Sequence, residues 1–317
     1  MELDWKTLDD LRVAYLNGSA GVADYWKTDA LLRGYDATFA RRIAWKWYWV
    51  FKDLDQRGWS PPEGAVLDFG CGTGVAVREV LGKYPGLTKE VALYDRSARA
   101  LTFAVETVRR EYHDVTVSPR LPEECGLLLV SHVLTELDEE GTTALLAQVE
   151  KAQAVIFVEP GTHEASRKLI AVREKLVGKM QAVAPCLHSA ACGMLAARND
   201  RHWCHFFATP PPEVFTDRGW AMFSRELGID LRALPLSFLV LDRRAPQPPA
   251  AGSVRMVGVP RLYKGHALLL GCVAEGALEK RLQKRTDTGF FKDLEKRRAP
   301  TLQHWETDGT EITGISG

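Results

Sequence analysis

The run Val66-Leu67-Asp68-Phe69-Gly70-Cys71-Gly72-Thr73-Gly74 constrains the architecture more tightly than any other part of this chain. A short apolar stretch ends in an acid, three glycines follow at alternate positions, and an amphipathic segment begins near Val75. Without side chains the backbone turns sharply and approaches a ligand closely, while the N-terminus of the following helix offers unbonded N–H groups. The spacing is Gly-x-Gly-x-Gly, and Val75 stands where the dinucleotide fingerprint wants its third glycine. A second apolar run ends in another acid, Asp95.

From Ala65 onward, short apolar runs alternate with amphipathic helices, the pattern of a parallel sheet covered on both faces. The runs are AVLDF, VALYD, VTV, LLLVS, AVIFV and LSFLVL. Ser97 and Thr162 stand as caps before two of the helices. Upstream, Asp36 is placed to cap a helix with the stripe Phe39, Ile43, Trp47, Val50 and Leu54. Arg41, Arg42, Lys46 and Lys52 lie between these positions and read as a solvated face. The fold expected is α/β, a Rossmann-like class I methyltransferase sheet with an N-terminal helical region (1–60), an S-adenosylmethionine-binding core (61–177) and a cysteine-rich, metal-binding insertion (178–235). Residues 236–298 are expected to complete the core sheet and end in a basic segment, and 299–317 to form a tail.

The glycine spacing favours S-adenosylmethionine, with Asp68, Gly70, Gly72, Gly74 and Asp95 as the cofactor-binding residues and Asp95 placed to accept from ribose hydroxyls. Ligands of such sheets sit beyond the carboxyl ends of the strands. Ser131, His132, Glu136 and Glu159 follow the fourth and fifth runs there. His132 is the candidate base and Glu159 the candidate for orienting an acceptor, although polar groups at strand ends also serve purely to satisfy hydrogen bonds. The chain lacks the Asn-Pro-Pro-Tyr or Asp-Pro-Pro-Tyr tetrapeptide of base amino-group methylation, and it lacks a cysteine pair at the two strand ends.

Cys186, Cys192 and Cys204 fall within an irregular stretch that also holds His188, His202 and His205, and Cys272 lies far downstream. The intervals are five, eleven and sixty-seven residues, without the paired Cys-x-x-Cys knuckles of a zinc ribbon. Four thiolates suit either zinc or an iron–sulfur cluster, and spacing leaves the two open. Either would staple an insertion whose composition supplies little core.

Taken together, DFGCGTG, LTEL, VEPGT, APCLHSAAC, HWCHF, FLVL and LLLGC, in that order over about residues 30 to 300, resemble the methyltransferase-like family of mitochondrial small-ribosomal-subunit assembly factors and its bacterial relatives. The resemblance implies a class I methyltransferase fold, a 4Fe-4S cluster on Cys186, Cys192, Cys204 and Cys272, and a part in translation through maturation of the small subunit. The family commonly has proline after the first and second of these cysteines, where Leu187 and Gly193 stand here. Other readings are an active methyltransferase with a non-ribosomal acceptor, a non-enzymatic RNA-binding assembly factor, and a redox sensor.

With 41 basic and 41 acidic residues the chain has no overall attraction for nucleic acid, so RNA contact must come from local patches. Leu278–Arg298 is one such patch, with eight Lys or Arg against four acids; the resemblance makes ribosomal RNA its partner. The acids and tryptophan of the first residues do not form a secretory signal, and no apolar run approaches a bilayer span. A cytoplasmic, reducing location is expected, with no membrane partner.

Overall fold

A computed structural model describes residues 3–16, 24–245, 247 and 249–316. In chain order the helices α1 (Trp5–Leu16), α2 (Asp29–Ala37) and α3 (Phe39–Gln56) lead into β1 (Val66–Phe69), α4 (Val75–Lys83), β2 (Glu90–Tyr94), α5 (Ala98–Glu111) and β3 (Thr116–Ser118). There follow β4 (Cys125–Ser131), α6 (Glu139–Lys151), β5 (Ala152–Pro160), α7 (His163–Leu176), β6 (Gln181–Ala184), β7 (Phe206–Phe207), α8 (Arg218–Leu227) and β8 (Pro235–Asp242). The C-terminal part is β9 (Ser253–Leu262), β10 (His266–Val273), β11 (Gly276–Gln283), α9 (Thr288–Glu295), β12 (Leu302–Asp308) and β13 (Glu311–Ser316). No described helix is long and apolar enough to cross a membrane.

The main sheet runs β3-β2-β1-β4-β5-β8-β6, with β7 also paired to β8. Strands β1 to β5 are parallel, and β8 runs antiparallel to both β5 and β6. All four residues of β1 are buried, as is every residue of β4 except Ser131. Covered on both faces, such strands have no need of polar alternation, which is why they read as unbroken apolar runs. Ser97 and Thr162 cap α5 and α7, accepting from Ala100 N and Ala165 N. The α3 stripe of Ile43, Trp47, Val50 and Leu54 is buried against this sheet. Its cap differs from expectation: α3 starts after Thr38, and Asp36 belongs to α2, where it takes the guanidinium of Arg78.

Three segment assignments are corrected. The stretch 178–235 begins with β6, which forms the far edge of the sheet, so the insertion is partly sheet. Residues 253–316 leave the sheet altogether and form a closed barrel in the order β10-β11-β13-β12-β9. The HALLLGC strand, β10, has no place in the sheet because β8 is already paired to β5 on one side and to β6 and β7 on the other. Residues 299–317 are accordingly no tail, since they supply β12 and β13. Inside the barrel, Met256, Leu269, Leu282, Trp305 and Ile312 pack with Phe291 and Leu294 of α9. The basic stretch Leu278–Arg298 is divided between β11 and α9 and presents no single helical face.

Barrel and sheet share a joint. Arg255 of β9, 1% exposed, donates to both carboxylate oxygens of Asp53 on α3, to Pro185 O at 3.1 Å and to Thr301 Oγ1 at 3.0 Å. Leu270 and Cys272 of β10 pack on the core of the sheet domain.

Candidate functional site: a glycine loop, a lysine–histidine contact and four thiols

The sheet's strand order reverses between β1 and β4, and a cavity of about 220 Å³ opens there, at the carboxyl ends of the strands. Gly70, Gly72 and Asp95 line it together with Ser131, His132 and Glu136. Gly70 has a φ of 73°, and a Cβ on it would meet Val133 Cγ2 at 2.5 Å, so the loop passes under the next turn only as glycine. Asp95 accepts from Gly72 N through one oxygen and from Ser97 N through the other, both at 2.8 Å. It thereby ties the glycine loop to the start of α5, while each oxygen keeps a second lone pair. Asp68 lies beneath the loop, fully buried, accepting from Val77 N at 3.2 Å. Burial pushes its carboxyl up to about 7, so it braces α4 from below.

Above the ends of β4 and β5 sits a set of titratable groups. His132 has the left-handed φ of 59°, a strained conformation for a side-chain-bearing residue. The turn it makes sends Val133 N and Leu134 N onto Glu159 Oε1, at 3.1 and 3.2 Å. Glu159 is fully buried, and burial lifts its carboxyl to about 8. The geometry gives Glu159 the task of holding the turn. Lys46 Nζ stands 3.2 Å from His132 Nε2. Burial lowers the lysine to about 7 and, together with the lysine, holds the imidazole well below its ordinary value, so His132 is neutral. Beside them Trp47 Nε1 donates to Ser131 Oγ at 3.1 Å.

Sequence reasoning placed Lys46 on a solvated face, whereas it is 8% exposed. A signal was present: Lys46 stands three residues after Ile43 and four before Val50, on the apolar stripe itself. The N-terminal residues were missed entirely. Tyr15 OH donates to Tyr25 OH at 2.6 Å, and Tyr25 OH donates to Glu136 Oε2 at 3.1 Å, bringing a strap of residues 24–28 over the cavity. Asp24 accepts from Ser97 Oγ at 2.9 Å and fixes the strap to α5. Burial raises Glu136 to about 7. Pairing between residues more than a hundred positions apart leaves no trace in local spacing.

Cys186, Cys192, Cys204 and Cys272 all lie partly buried: the last three pack against the core cluster that reaches from the sheet to the barrel, and Cys186 against the cluster on the other face of the sheet. Cys204 is within electrostatic reach of the other three, and Cys272 of Cys186 and Cys192. Burial, and then the other thiols, raise Cys204 far up and Cys272 to about 12, an effect that Arg255 and, at Cys272, Arg173 only partly offset, so these two groups hold their protons. His188 Nε2 is 4.0 Å from Cys272 Sγ, while His205 stacks on Trp203. Among the described residues no three His, Cys, Asp or Glu side chains form a group that could hold a metal ion.

The irregular loop carrying the first three thiols is organised by two arginines of α7. Arg167 donates to the carbonyls of Met194, Asn199, Asp200 and His202. Arg173 donates to those of His188 and Ala190 and to Cys186 Sγ at 3.3 Å. Carbonyls of the loop that have no ladder partner are satisfied in this way. Gly193 lies so close to β11 that a Cβ would stand 2.2 Å from Ala277 N, which is the physical reason for glycine where proline was expected.

A parallel sheet with one antiparallel strand next to its edge, a glycine loop after β1 and an acid following β2 define a class I methyltransferase fold. Within that class the chain belongs to the Rsm22 family, described as mitochondrial small ribosomal subunit Rsm22, which it matches over residues 50–299. No curated protein matches it. Similar solved structures include the ribosomal protein L11 methylase of Lactobacillus delbrueckii subsp. bulgaricus, 13% identical, covering 64% of this chain and 78% of that one with a TM-score of 0.34. A SAM-dependent methyltransferase from Aquifex aeolicus is 14% identical, covering 61% and 88%, with a TM-score of 0.32. M. capricolum TrmK in complex with S-adenosyl-homocysteine is 9% identical, covering 62% and 69%, with a TM-score of 0.35.

Proposed function

We propose that this chain binds S-adenosylmethionine in the cavity above β1, β2 and β4, carries a 4Fe-4S cluster at the joint of its two units, and acts with ribosomal RNA in assembly of the small ribosomal subunit. The observation that carries the cofactor reading is the Asp95 carboxylate, held by two backbone amides at the cavity with lone pairs left for ribose hydroxyls. The glycines beside it leave room for the rest of the molecule. Bound there, the cofactor supplies an electrophilic methyl group. In the enzymatic reading His132, neutral and 3.2 Å from Lys46, takes the acceptor's proton and shares it with the amine.

The ribosomal part of the proposal is supported by family membership. The cluster is supported by three thiols of one irregular loop and a fourth on β10, one of which receives an N–H from Arg173.

Calorimetry on anaerobically purified protein tests the cofactor: S-adenosylmethionine binds, and Asp95→Ala weakens it about tenfold or more, as expected for losing a charged hydrogen-bonding partner. Absence of binding by the iron-loaded protein sinks the cofactor and enzymatic readings together. Iron and sulfide in equal amounts, about four of each per chain, are expected on analysis. Stoichiometric zinc without sulfide rejects the cluster. If small-subunit maturation persists in cells carrying Asp95→Ala, the chain works as an assembly scaffold and methyl transfer is dispensable.

A further inference from the structure

The C-terminal barrel has a connectivity that suggests a second binding surface. Its first three strands, β9, β10 and β11, form an antiparallel meander. After α9 the chain returns as β12 and β13, with β13 parallel to β11 and β12 closing onto β9. This is the arrangement of the five-stranded oligonucleotide- and oligosaccharide-binding barrel, in which the outer face of the second and third strands and the loops joining strands one to two and four to five receive the ligand.

Alternation along β10 divides its outer face in two. Ala267 and Leu269 point into the barrel, and the residues between them point out. Leu270 and Cys272 are covered by the sheet domain. His266 and Leu268, paired with Gln283 and Arg281 of β11, occupy the other half. There the loop between β9 and β10 carries Tyr263, 47% exposed, whose ring stacks on His266 at 4.6 Å with an interplanar angle of 9°. Around this pair stand Arg261, Lys264 and Arg281, all exposed. Arg261 and Arg281 are oriented by Glu279 and Glu311.

We propose that this end of the barrel binds single-stranded RNA, with the Tyr263–His266 stack as a platform for bases and Arg261, Lys264 and Arg281 facing phosphates. An exposed flat aromatic pair framed by guanidinium and ammonium groups is the chemistry by which single strands are held without reading their sequence. A duplex keeps its bases stacked on one another and offers the platform nothing. The surface is argued from the barrel alone, and it rests on the ribosomal reading only for RNA as the nucleic acid.

The test is fluorescence anisotropy of full-length protein with a labelled twelve-residue oligouridylate and with a duplex RNA of equal length, over a series of salt concentrations. The single strand is expected to bind at least about tenfold more tightly than the duplex. Tyr263→Ala weakens it about tenfold with the salt slope unchanged, and Lys264→Ala lowers the slope by about 0.7. Equal binding of duplex and single strand, or a Tyr263→Ala protein that binds as the parent does, overturns the proposal. Circular dichroism and the thermal-unfolding midpoint of the same preparations report folding. Asp95→Ala should leave oligouridylate binding intact, which separates failure of this surface from failure of the cofactor site.

Discussion

A methyl group at position 70 would be placed 2.5 Å from Val133 Cγ2 on a backbone with φ of 73°. Gly70→Ala is therefore expected to cost about 1 to 3 kcal/mol in urea unfolding, from left-handed strain and overpacking together. Adding Val133→Ala should relieve the steric part and leave the strain. Lys46 makes a second prediction at this scale. Its folded value of about 7 lies below the ordinary 10.5, so its contribution is complete above 10.5 and is lost as pH falls through 7. Lys46→Met should remove a rise in stability on the order of 1 to 2 kcal/mol between pH 7.5 and 9.5, measured as the difference between variant and parent so that other groups cancel. The turn of the glycine loop was legible because it depends on neighbours within a few positions, and the place of Asp95 because it ends the next apolar run. Lys46 was misread because basic residues on a helix were taken as a group, when its offset from Ile43 places it inside. The Tyr25–Glu136 bond spans chain segments that meet only in three dimensions, and no spacing rule reports it.

At the scale of elements, the joint between α3 and β9 depends on one guanidinium. Arg255→Met would leave the Asp53 carboxylate, 4% exposed, without its partner, at a cost of about 3 to 5 kcal/mol in denaturant unfolding. The double variant Arg255→Met with Asp53→Leu should recover most of that loss, since an apolar pair of similar volume tolerates burial. A double variant as unstable as the single would show that shape at this joint matters more than charge. Strands β1, β2, β4, β5 and β8 were legible because burial on both faces makes them nearly continuous apolar runs. The short β6, four residues of which Gln181 is exposed, falls below what periodicity detects. Strand β11, Gly276–Gln283, carries Glu279, Lys280 and Arg281 on a barrel wall with one wet face, and its charges were read with those of α9 as one basic stretch.

Across the whole molecule the buried acids set a pH response. Asp68 at about 7, Glu136 at about 7 and Glu159 at about 8 all lie above their ordinary values of 3.8, 4.5 and 4.5. The folded state binds these protons more tightly than the unfolded state, so their stabilisation is present below about pH 4 and is lost as pH rises through 7 to 8. Thermal unfolding should show a midpoint that falls between pH 5.5 and 8. Glu136→Gln, which keeps the shape and removes the charge, should flatten part of that fall, and an unchanged slope in this variant would rule Glu136 out as a source. The sheet domain was readable as a whole because one motif and a rhythm of runs specify it. The barrel was not, because closure is a property of five strands together. Its position has a consequence in time: Cys272 is sixty-eight residues downstream of Cys204, so at ordinary synthesis speeds roughly 3 to 14 s separate the emergence of the third thiol from that of the fourth. A cluster assembled as proposed would therefore have to wait for the last strand, or be held by a helper on three sulfurs until that strand arrives.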